Sequence, residues 1–305
     1  MAGPPIVVEV RRNGIVEARH RVHAVAVRGE AVLSAAGDPQ LTCFMRSASK
    51  PIQALPLARA RDDRDDLDDR DFAIACASHR ATDDQIAAAR ALLAKAPATE
   101  EDLELGLQQG RPPHRIYHNC SGKHAGMLAL ARANGWPTTG YRLPDHPVQL
   151  AARAAHEEAA ETQPVATAAD GCGVVTFALP LERMAHAFAR LPHLPEGKRI
   201  TDAMRAHPDL VGGPDGVDYE LMRDAPGWFA KGGAEGLLCA ANDDGLGVAL
   251  KTEDGASRPL GPALAALLAP LGVDLPTLAR TPIDNSRGER AGEVATFLYE
   301  LVNSH

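Results

Sequence analysis

A serine and a lysine three positions apart are the first residues of this chain that could perform catalysis. They are Ser47 and Lys50, in the segment RSASKP at 46–51. Positions three apart on a helix lie on one face, and a lysine amine that burial keeps neutral can accept the proton of a serine hydroxyl. The pair has the S-x-x-K form of penicillin-recognising hydrolases. We therefore expect Ser47 to be a nucleophile and Lys50 to be its base.

A second serine and a second lysine stand in segments of similar character. Ser78 belongs to Cys76-Ala-Ser-His79, where a hydroxyl beside an imidazole indicates proton transfer. Lys231 is followed by two glycines, which let a ligand or another backbone approach closely. Each segment alone also fits a structural role. The first would be the polar end of a buried strand at 72–75, and the second a tight turn before a strand at 236–241.

Lysine is scarce in this chain. Of the 32 basic residues only six are lysine: Lys50, Lys95, Lys123, Lys198, Lys231 and Lys251. Arginine keeps its proton in proteins, whereas a buried lysine can lose it, so a retained lysine indicates a place that needs a neutral amine. Three of the six, Lys50, Lys123 and Lys231, lie in segments of small residues. We expect uncharged amines at Lys50 and Lys231.

Two glycine-rich segments contain residue types that bind metals. They are HNCSGKH at 118–124 and DGCG at 170–173. Neither has the C-x-x-C spacing of a structural zinc site, but two thiolates from separate turns can share one metal. Simple burial of the thiols and a disulfide between Cys120 and Cys172 are the alternatives. Cys43 and Cys239 lie in apolar, strand-like sequence and are expected in the core.

The elements that must position these residues follow from hydrophobic periodicity. Alternating and β-branched residues with turn signals between them predict strands at 6–10, 15–27, 31–35, 236–241 and 246–252. Helices are predicted from residues 47 and 121 and over 82–95, 146–160, 179–190 and 259–268.

These elements predict an α+β protein with strands at both ends of the chain and helices between them. Its antiparallel sheet would come from about 1–45 and 230–255, with a largely helical region between. We expect one catalytic domain over residues 1–305. The charge run at 61–71 is predicted to be a solvated surface segment.

Composition excludes several classes of protein. The net charge is -8 and no basic stripe is present, which argues against a nucleic-acid partner. No apolar run approaches the ~20 residues that span a bilayer, so no membrane association is expected. The N-terminal segment lacks the apolar core of a signal peptide, and five cysteines are too few for a disulfide scaffold. A cytoplasmic location is therefore predicted.

Taken together, six segments resemble one family, the thermolabile, Rhizobium-type L-asparaginases (class 3, or asparaginase II). They are RSASKPIQALP at 46–56, CASH at 76–79, HNCSGKHAGML at 118–128, DHPVQ at 145–149, DGCGVVTFALPL at 170–181 and AKGGAEGLL at 230–238. The likeness covers nearly the whole chain and ends with DNSRGERAGEV at 284–294.

This resemblance implies a fold of the serine β-lactamase and penicillin-binding-protein type. It implies hydrolysis of the side-chain amide of L-asparagine to aspartate and ammonia by two Ser-Lys pairs. These are Ser47 with Lys50 and Ser78 with Lys231.

The resemblance also implies a zinc site and a substrate pocket. The zinc ligands would be Cys120, Lys123 and Cys172, with His124 and Asp170 beside them to orient ligands or substrate. Arg46 is a candidate for binding the substrate carboxylate, since a guanidinium can bind it bidentately. A homodimer is a further expectation from the family.

The chain departs from the family pattern directly after Ser78 and His79. The family has a Gly-Glu pair and a following histidine there, whereas this chain has Arg80-Ala-Thr-Asp-Asp84. The departure puts substrate preference in doubt more than reaction type. A glutaminase, a penicillin-recognising hydrolase and a non-catalytic amino-acid binding protein are the alternative functions.

Overall fold

The computed structural model describes residues 3–60, 66–214 and 216–297. Within these ranges the strands are β1 (Ile6–Arg12), β2 (Ile15–Arg28), β3 (Ala31–Ala36), β4 (Thr42–Phe44), β5 (Ala166–Ala169), β6 (Val175–Pro180), β7 (Trp228–Gly233), β8 (Leu237–Asn242), β9 (Leu246–Thr252), β10 (Arg280–Asp284) and β11 (Arg290–Thr296).

Eight of these strands form one antiparallel sheet. Their order is β10-β11-β1-β2-β9-β8-β7, and β3 pairs with β2 beside this path. The β1–β2 hairpin turns at Asn13 and Gly14, both with positive φ, as a tight turn between strands requires. The strands thus come from both ends of the chain, as predicted, although the sheet continues beyond 255 through β10 and β11.

The central region contains a second, small sheet that the sequence did not predict. It has three antiparallel strands in the order β4-β6-β5. Its central strand β6 is almost fully buried, so its residues read as one apolar run and lack the alternation of a half-buried strand. This sheet fixes the turn at 170–174, which carries Asp170 and Cys172.

Helices occupy most of the remaining chain. They are α1 (Lys50–Ala60), α2 (Asp69–Ala75), α3 (Asp83–Lys95), α4 (Ser121–Ala133), α5 (Pro147–Ala160), α6 (Leu181–Arg190), α7 (Gly197–Ala206), α8 (Pro208–Val211), α9 (Val217–Asp224), α10 (Leu260–Leu268) and α11 (Pro276–Ala279). The start of α3 is the predicted one, because Thr82 and Gln85 form a capping box there.

The large sheet has apolar side chains on both faces. Val25 and Ala249 face the larger core, which the central helices complete. Their neighbours Ala24 and Leu250 face a second core with α10. Alternate residues of one strand point to opposite faces, so the central strands are covered by helices on each side. The predicted α+β class is confirmed.

Two local predictions were wrong. Residues 72–75 lie in α2 and not in a strand, because Asp68 and Asp71 form a capping box that starts a helix before this short apolar run. Lys231 and its two glycines lie within β7, where Lys231 pairs with Cys239 of β8. A Cβ at Gly233 would lie 2.8 Å from the Met45 carbonyl oxygen, so the close approach explains that glycine.

The charge run is only partly the solvated segment that was predicted. Residues 61–65 lie outside the described residues. Asp71, at its end, is 2% exposed and its carboxylate accepts a hydrogen bond from Lys95 at 2.5 Å. This acid therefore links α2 to α3. Within the described ranges no helix has the length and apolar character that crossing a bilayer requires.

Candidate active site

The amine of Lys50 lies against the hydroxyl of Ser78. Lys50 begins α1 with its side chain 0% exposed, and Nζ lies 3.0 Å from Ser78 Oγ and donates to the carbonyl oxygen of Ala77. Ser78 follows α2, and its N–H donates to the carbonyl oxygen of Val211 at 2.8 Å. Three helices, α1, α2 and α8, therefore fix this pair.

The surroundings of Lys50 favour the neutral amine. Burial lowers the pKa of Lys50 to about 8, and the positive charges of Lys123 and Lys231 act in the same direction against the opposing effect of Cys120. Among the described residues no carboxylate pairs with this amine. A lysine whose pKa lies this close to neutrality can act as a general base.

The Ser47 hydroxyl makes no hydrogen bond to the Lys50 amine, although the spacing predicted that pair; the two residues are joined only by the bond from the Lys50 N–H to the Ser47 carbonyl oxygen. The segment Arg46–Ser49 is a 3-10 turn ahead of α1, so the two residues do not share an α-helical face. Lys50 extends into the core toward Ala77, whereas Ser47 lines the cleft described below. The Ser47 hydroxyl makes no hydrogen bond to any described residue.

Lys231 forms a salt bridge with Asp218, a partner that sequence analysis did not predict. Its side chain is 1% exposed, and Nζ lies 3.4 Å from Asp218 Oδ2 and donates to the carbonyl oxygen of Gly232. The expected hydrogen bond between Ser78 and Lys231 is not formed, because Ser78 is bonded to Lys50. A buried carboxylate favours the charged form of an amine beside it, and the expectation of an uncharged Lys231 made no allowance for this partner.

A cleft of about 650 Å³ brings both serines together with Lys231. It is bounded by the 3-10 turn, the segment after α2, α9 and β7. Its lining includes Ser47, Ser78, Asn119, Asp218, Lys231 and Gly232. Two walls of the cleft therefore carry a serine hydroxyl each, Ser47 and Ser78, beside space for a substrate. An acyl-transfer site needs this geometry.

His79 anchors the segment that carries Ser78. Nδ1 accepts from the N–H of Ala81, so the proton lies on Nε2, which is 2.8 Å from Ser121 Oγ. The Ser121 hydroxyl in turn donates to the carbonyl oxygen of Ile116. Burial lowers the pKa of His79 to about 3. The imidazole is therefore a neutral structural support.

The predicted metal ligands meet on the far side of Lys50. Cys120 caps the N-terminus of α4, Lys123 lies one turn into that helix, and Cys172 lies in the turn between β5 and β6. Lys123 Nζ is 3.1 Å from Cys172 Sγ, and both thiols are free and buried. The expectation that two separate turns bring these residues together is therefore correct.

The charges in this group differ from those expected. A hydrogen bond from the Cys120 thiol, together with the charge of Lys123, lowers the pKa of Cys172 against the effect of burial. Burial acts to lower the pKa of Lys123, but the charges of Cys172 and Cys120 raise it above its usual value. Without a metal, Lys123 is an ammonium beside a thiolate, and a metal would have to displace its proton.

The donor set fits a zinc ion. The separation of 3.1 Å between Lys123 Nζ and Cys172 Sγ approaches the ~3.6 Å between nitrogen and sulfur ligands of a tetrahedral zinc. Among the described residues no further histidine, cysteine or acid lies within 4.8 Å of both thiols. Close by, His124 Nε2 is buried without a hydrogen-bond partner, while Nδ1 contacts the Tyr141 hydroxyl at 2.6 Å.

Two residues predicted to bind substrate bind each other. Arg46 Nε donates to Asp170 Oδ1 at 2.6 Å, and the carboxylate also accepts from the N–H of Gly171. Arg46 has a φ of 50°, which is unusual for a residue with a side chain. This conformation is held by the bond from its N–H to Thr176 Oγ1. Arg46 and Asp170 therefore place a positive and a negative charge side by side.

The departure segment after His79 has two structural roles. Arg80 lines the cleft and donates to the carbonyl oxygen of Gly212. Thr82 caps α3, and Asp84 pairs with Arg70 at the surface. Only Arg80 of this segment therefore reaches the cleft, so it is the residue through which the departure can affect substrate choice.

The chain matches one known protein family over almost its whole length. The model of the family described as "L-asparaginase II" matches residues 8–296. The chain belongs to the L-asparaginase II family. No curated protein sequence matches it at a significant level.

The fold of this L-asparaginase II family member has relatives among solved structures. The crystal structure of Mglu in the presence of 4.3 M NaCl has a TM-score of 0.50 at 15% identity, over 84% of this chain and 62% of that one. A putative beta-lactamase from Bacteroides dorei DSM 17855 has a TM-score of 0.45 at 14% identity, over 81% of this chain and 93% of that one. The Mglu likeness shows a shared fold. This chain covers less than two thirds of that protein's length.

Removal of the Ser121 hydroxyl should destabilise the site. In Ser121→Ala the buried Nε2–H of His79 loses its acceptor, which costs about 1–3 kcal/mol of unfolding free energy. Urea unfolding of the variant measures it. Ser34→Ala is the control, because the Ser34 hydroxyl makes no hydrogen bond to a described residue, and it should change stability by less than about 0.5 kcal/mol. Equal effects of the two variants would contradict the assigned role.

Proposed function

We propose that this protein hydrolyses the side-chain amide of L-asparagine to L-aspartate and ammonia through a covalent serine ester. The observation that carries the proposal is the 3.0 Å contact between the Lys50 amine and the Ser78 hydroxyl at the edge of a cleft. Membership of the L-asparaginase II family supports the substrate. A neutral amine beside a hydroxyl supports a nucleophilic serine.

Ser78 is the nucleophile that this contact favours. Its Oγ attacks the amide carbon while its proton moves to Lys50 Nζ, and the tetrahedral intermediate collapses as the C–N bond breaks. The departing nitrogen takes a proton from a second, protonated group of the cleft and leaves as ammonia. Water then attacks the ester and gives a proton back to that group, Lys50 returns its proton to Ser78 Oγ, and the new carboxyl group ionises as aspartate is released. Ser47, on another wall of the cleft, contacts the substrate.

The salt bridge between Arg46 and Asp170 suits an amino acid as substrate. A zwitterionic amino acid carries a carboxylate and an ammonium on one carbon, and each finds its opposite charge in this pair. The Nε atom of Arg46 is used by Asp170, which leaves the terminal nitrogens of the guanidinium for a carboxylate. Glutamine and penicillins would meet the same two groups, but they differ from asparagine in length and shape. Comparison of turnover among these compounds therefore tests the choice of asparagine as substrate.

Cys120, Lys123 and Cys172 would hold a zinc ion. When bound, zinc would supply a fixed positive charge and a Lewis acid. These three residues hold the turn at 170–174 against α4 and thereby fix the position of Asp170. Loss of the metal should therefore disturb substrate binding as well as turnover.

The decisive experiment measures ammonia release from L-asparagine by the purified protein. L-Glutamine and a chromogenic β-lactam are assayed beside it at equal concentration. We expect kcat/KM to be highest for asparagine. A higher kcat/KM for glutamine or for the β-lactam would show that asparagine is not the preferred substrate. Binding of asparagine without ammonia release would identify a binding protein instead.

The two serines should respond differently to removal of their hydroxyls. Ser78→Ala is expected to lower kcat by about 10³-fold or more, since it removes the nucleophile. Ser47→Ala should lower kcat/KM by about tenfold or less. Peptide mass mapping of acid-quenched enzyme should find the acyl group on Ser78. An acyl group on Ser47, with the larger loss in Ser47→Ala, would reverse the assignment.

Activity should rise with pH through about 8. Because burial lowers the pKa of Lys50 to about 8, the neutral amine is the minor form below this pH and becomes the major form above it. The plot of log kcat/KM for asparagine should rise by about one per pH unit and level off above pH 8. Lys50→Arg, which cannot lose its proton, should be inactive at every pH. A maximum near pH 5 would exclude a lysine base.

Zinc should bind at the two thiols with one ion per chain. Cys120→Ser and Cys172→Ser should each lower zinc content, measured by mass spectrometry of the metal, by about tenfold or more. Cys239→Ser is the matched control, since that thiol is equally buried but lies in β8, which carries none of the three predicted zinc ligands. Full zinc content in the two variants would contradict this site. A disulfide in the native protein would show instead as two missing free thiols.

The homodimer and the cytoplasmic location implied earlier stay predictions. Analytical ultracentrifugation of the purified protein measures the first, and fractionation of the source cells measures the second.

A further inference from the structure

Asp218 is a buried acid in the cleft wall that the mechanism above does not use. It is the second residue of α9 and is 7% exposed. Oδ2 accepts from the N–H of Gly232 at 3.1 Å and lies 3.4 Å from Lys231 Nζ, and Oδ1 accepts from the N–H of Tyr219. Every described contact of this carboxylate is thus a donor, and one of them is a cation.

The backbone leaves room for this carboxylate with glycines. A Cβ at Gly216 would lie 2.3 Å from Asp218 Oδ1, and a Cβ at Gly212 would lie 2.9 Å from the same atom. A Cβ at Gly232 would reach 3.5 Å from Oδ2. The acid is therefore enclosed by three glycines, two in the connection between α8 and α9 and one in β7, which leave space for a carboxylate at this point.

Lys50 and Lys231 consequently stand in opposite electrostatic surroundings. Lys50 has a carbonyl oxygen and a hydroxyl as its described partners, whereas Lys231 has a carboxylate. Burial would raise the pKa of Asp218, but Lys231 and the N–H groups of Gly232 and Tyr219 lower it below its usual value. The carboxylate is therefore ionised, and an ionised buried carboxylate keeps the amine beside it protonated.

We propose that Asp218 is a positioning residue that holds Lys231 as a cation at the cleft, so that Lys231 supplies a proton while Lys50 removes one. This assignment rests on the proposed function. The division of labour lets one site carry a base and an acid at the same pH, which two lysines in identical surroundings could not do.

The proton balance of the reaction needs such a cation. Lys50 takes the proton of the Ser78 hydroxyl, so the nitrogen that leaves as the C–N bond breaks requires a proton from another group. The Lys231 ammonium donates it, and ammonia departs from a neutral Lys231. In the second half, the attacking water gives its proton to Lys231 and Lys50 returns its own to Ser78. Both lysines then regain their initial forms.

Other charged and titratable groups face this pair from the surrounding elements. They are Lys50 of α1, Cys76 after α2, Arg80, Arg111, Glu220 of α9 and Arg258. Asp218 itself contacts Lys231 directly, at 3.4 Å. Replacement of its charge should therefore act on Lys231 first.

The test compares Asp218→Asn with Asp224→Asn. The amide keeps the shape of the side chain and removes the charge, while Asp224 lies on the same helix and pairs with Arg223 at the surface. We expect Asp218→Asn to lower kcat for asparagine about 10–100-fold with KM changed less. At pH values above the plateau, activity should fall as Lys231 loses its proton, and Asp218→Asn should lower the pH of this fall by about one unit or more. Asp224→Asn should match the wild type.

A second readout does not depend on turnover. Because the chain has six lysines, protein labelled with ¹⁵N-lysine gives few side-chain signals, which Lys50→Arg and Lys231→Arg assign. The ammonium signal of Lys231 should persist to a higher pH than that of Lys50, and Asp218→Asn should lower its titration midpoint without moving that of Lys50. If the wild type releases no ammonia from asparagine but these shifts are seen, the proposed substrate fails while the role of Asp218 stands.

Two outcomes would overturn the role of Asp218. In the first, Asp218→Asn loses activity at the same high pH as the wild type and shows an unchanged Lys231 signal, with only thermal stability reduced. The second concerns an Asp218→Asn variant that does not fold. The double variant Asp218→Asn, Lys231→Met removes both charges and should then fold again if the pair is an ion pair. Continued failure to fold would assign the carboxylate a structural role alone.

Discussion

A lysine amine buried with no carboxylate beside it is the constraint on which this site depends. Lys50 is fully enclosed, and its described partners are a carbonyl oxygen and a hydroxyl. Taking a charged amine out of water is costly, so the protein can keep this side chain buried only where the neutral form is accessible. The surrounding helices therefore set the chemistry of Lys50 through packing.

The three lysines of the site illustrate how surroundings select a chemical role for one side-chain type. Lys50 faces neutral oxygens, Lys231 faces a carboxylate, and Lys123 faces a thiolate. The same amine is thereby suited to accept a proton, to carry a charge, or to exchange a proton for a metal. Their scarcity in an arginine-rich chain was informative about location. Uncharged amines were expected at Lys50 and Lys231 alike, but the local sequence carried no sign of the carboxylate beside Lys231.

Sequence patterns predicted elements with strong periodicity and clear caps, and they failed where tertiary contacts decide. The paired terminal strands and the capped helix α3 were predictable from local signals alone. The strand β6 and the helix α2 were not, because a short apolar run fits either structure and only the Asp68 cap distinguishes them. The members of the site were largely predicted, mostly through family resemblance. Their pairing was not, since spacing along the chain cannot show that Lys50 turns toward Ser78. Asp218 was missed because an isolated acid among 40 acidic residues carries no local signal.

The arrangement of the large sheet has a consequence for biosynthesis. Strand β1 lies between β2 and β11, so it is made long before β11 and one of its edges stays unpaired until β11 follows. Until then the nascent N-terminal hairpin exposes an unprotected edge with apolar residues on its face, which invites association with other chains. This order of strands leaves that edge unpaired for longer than in a sheet whose neighbouring strands are made in succession.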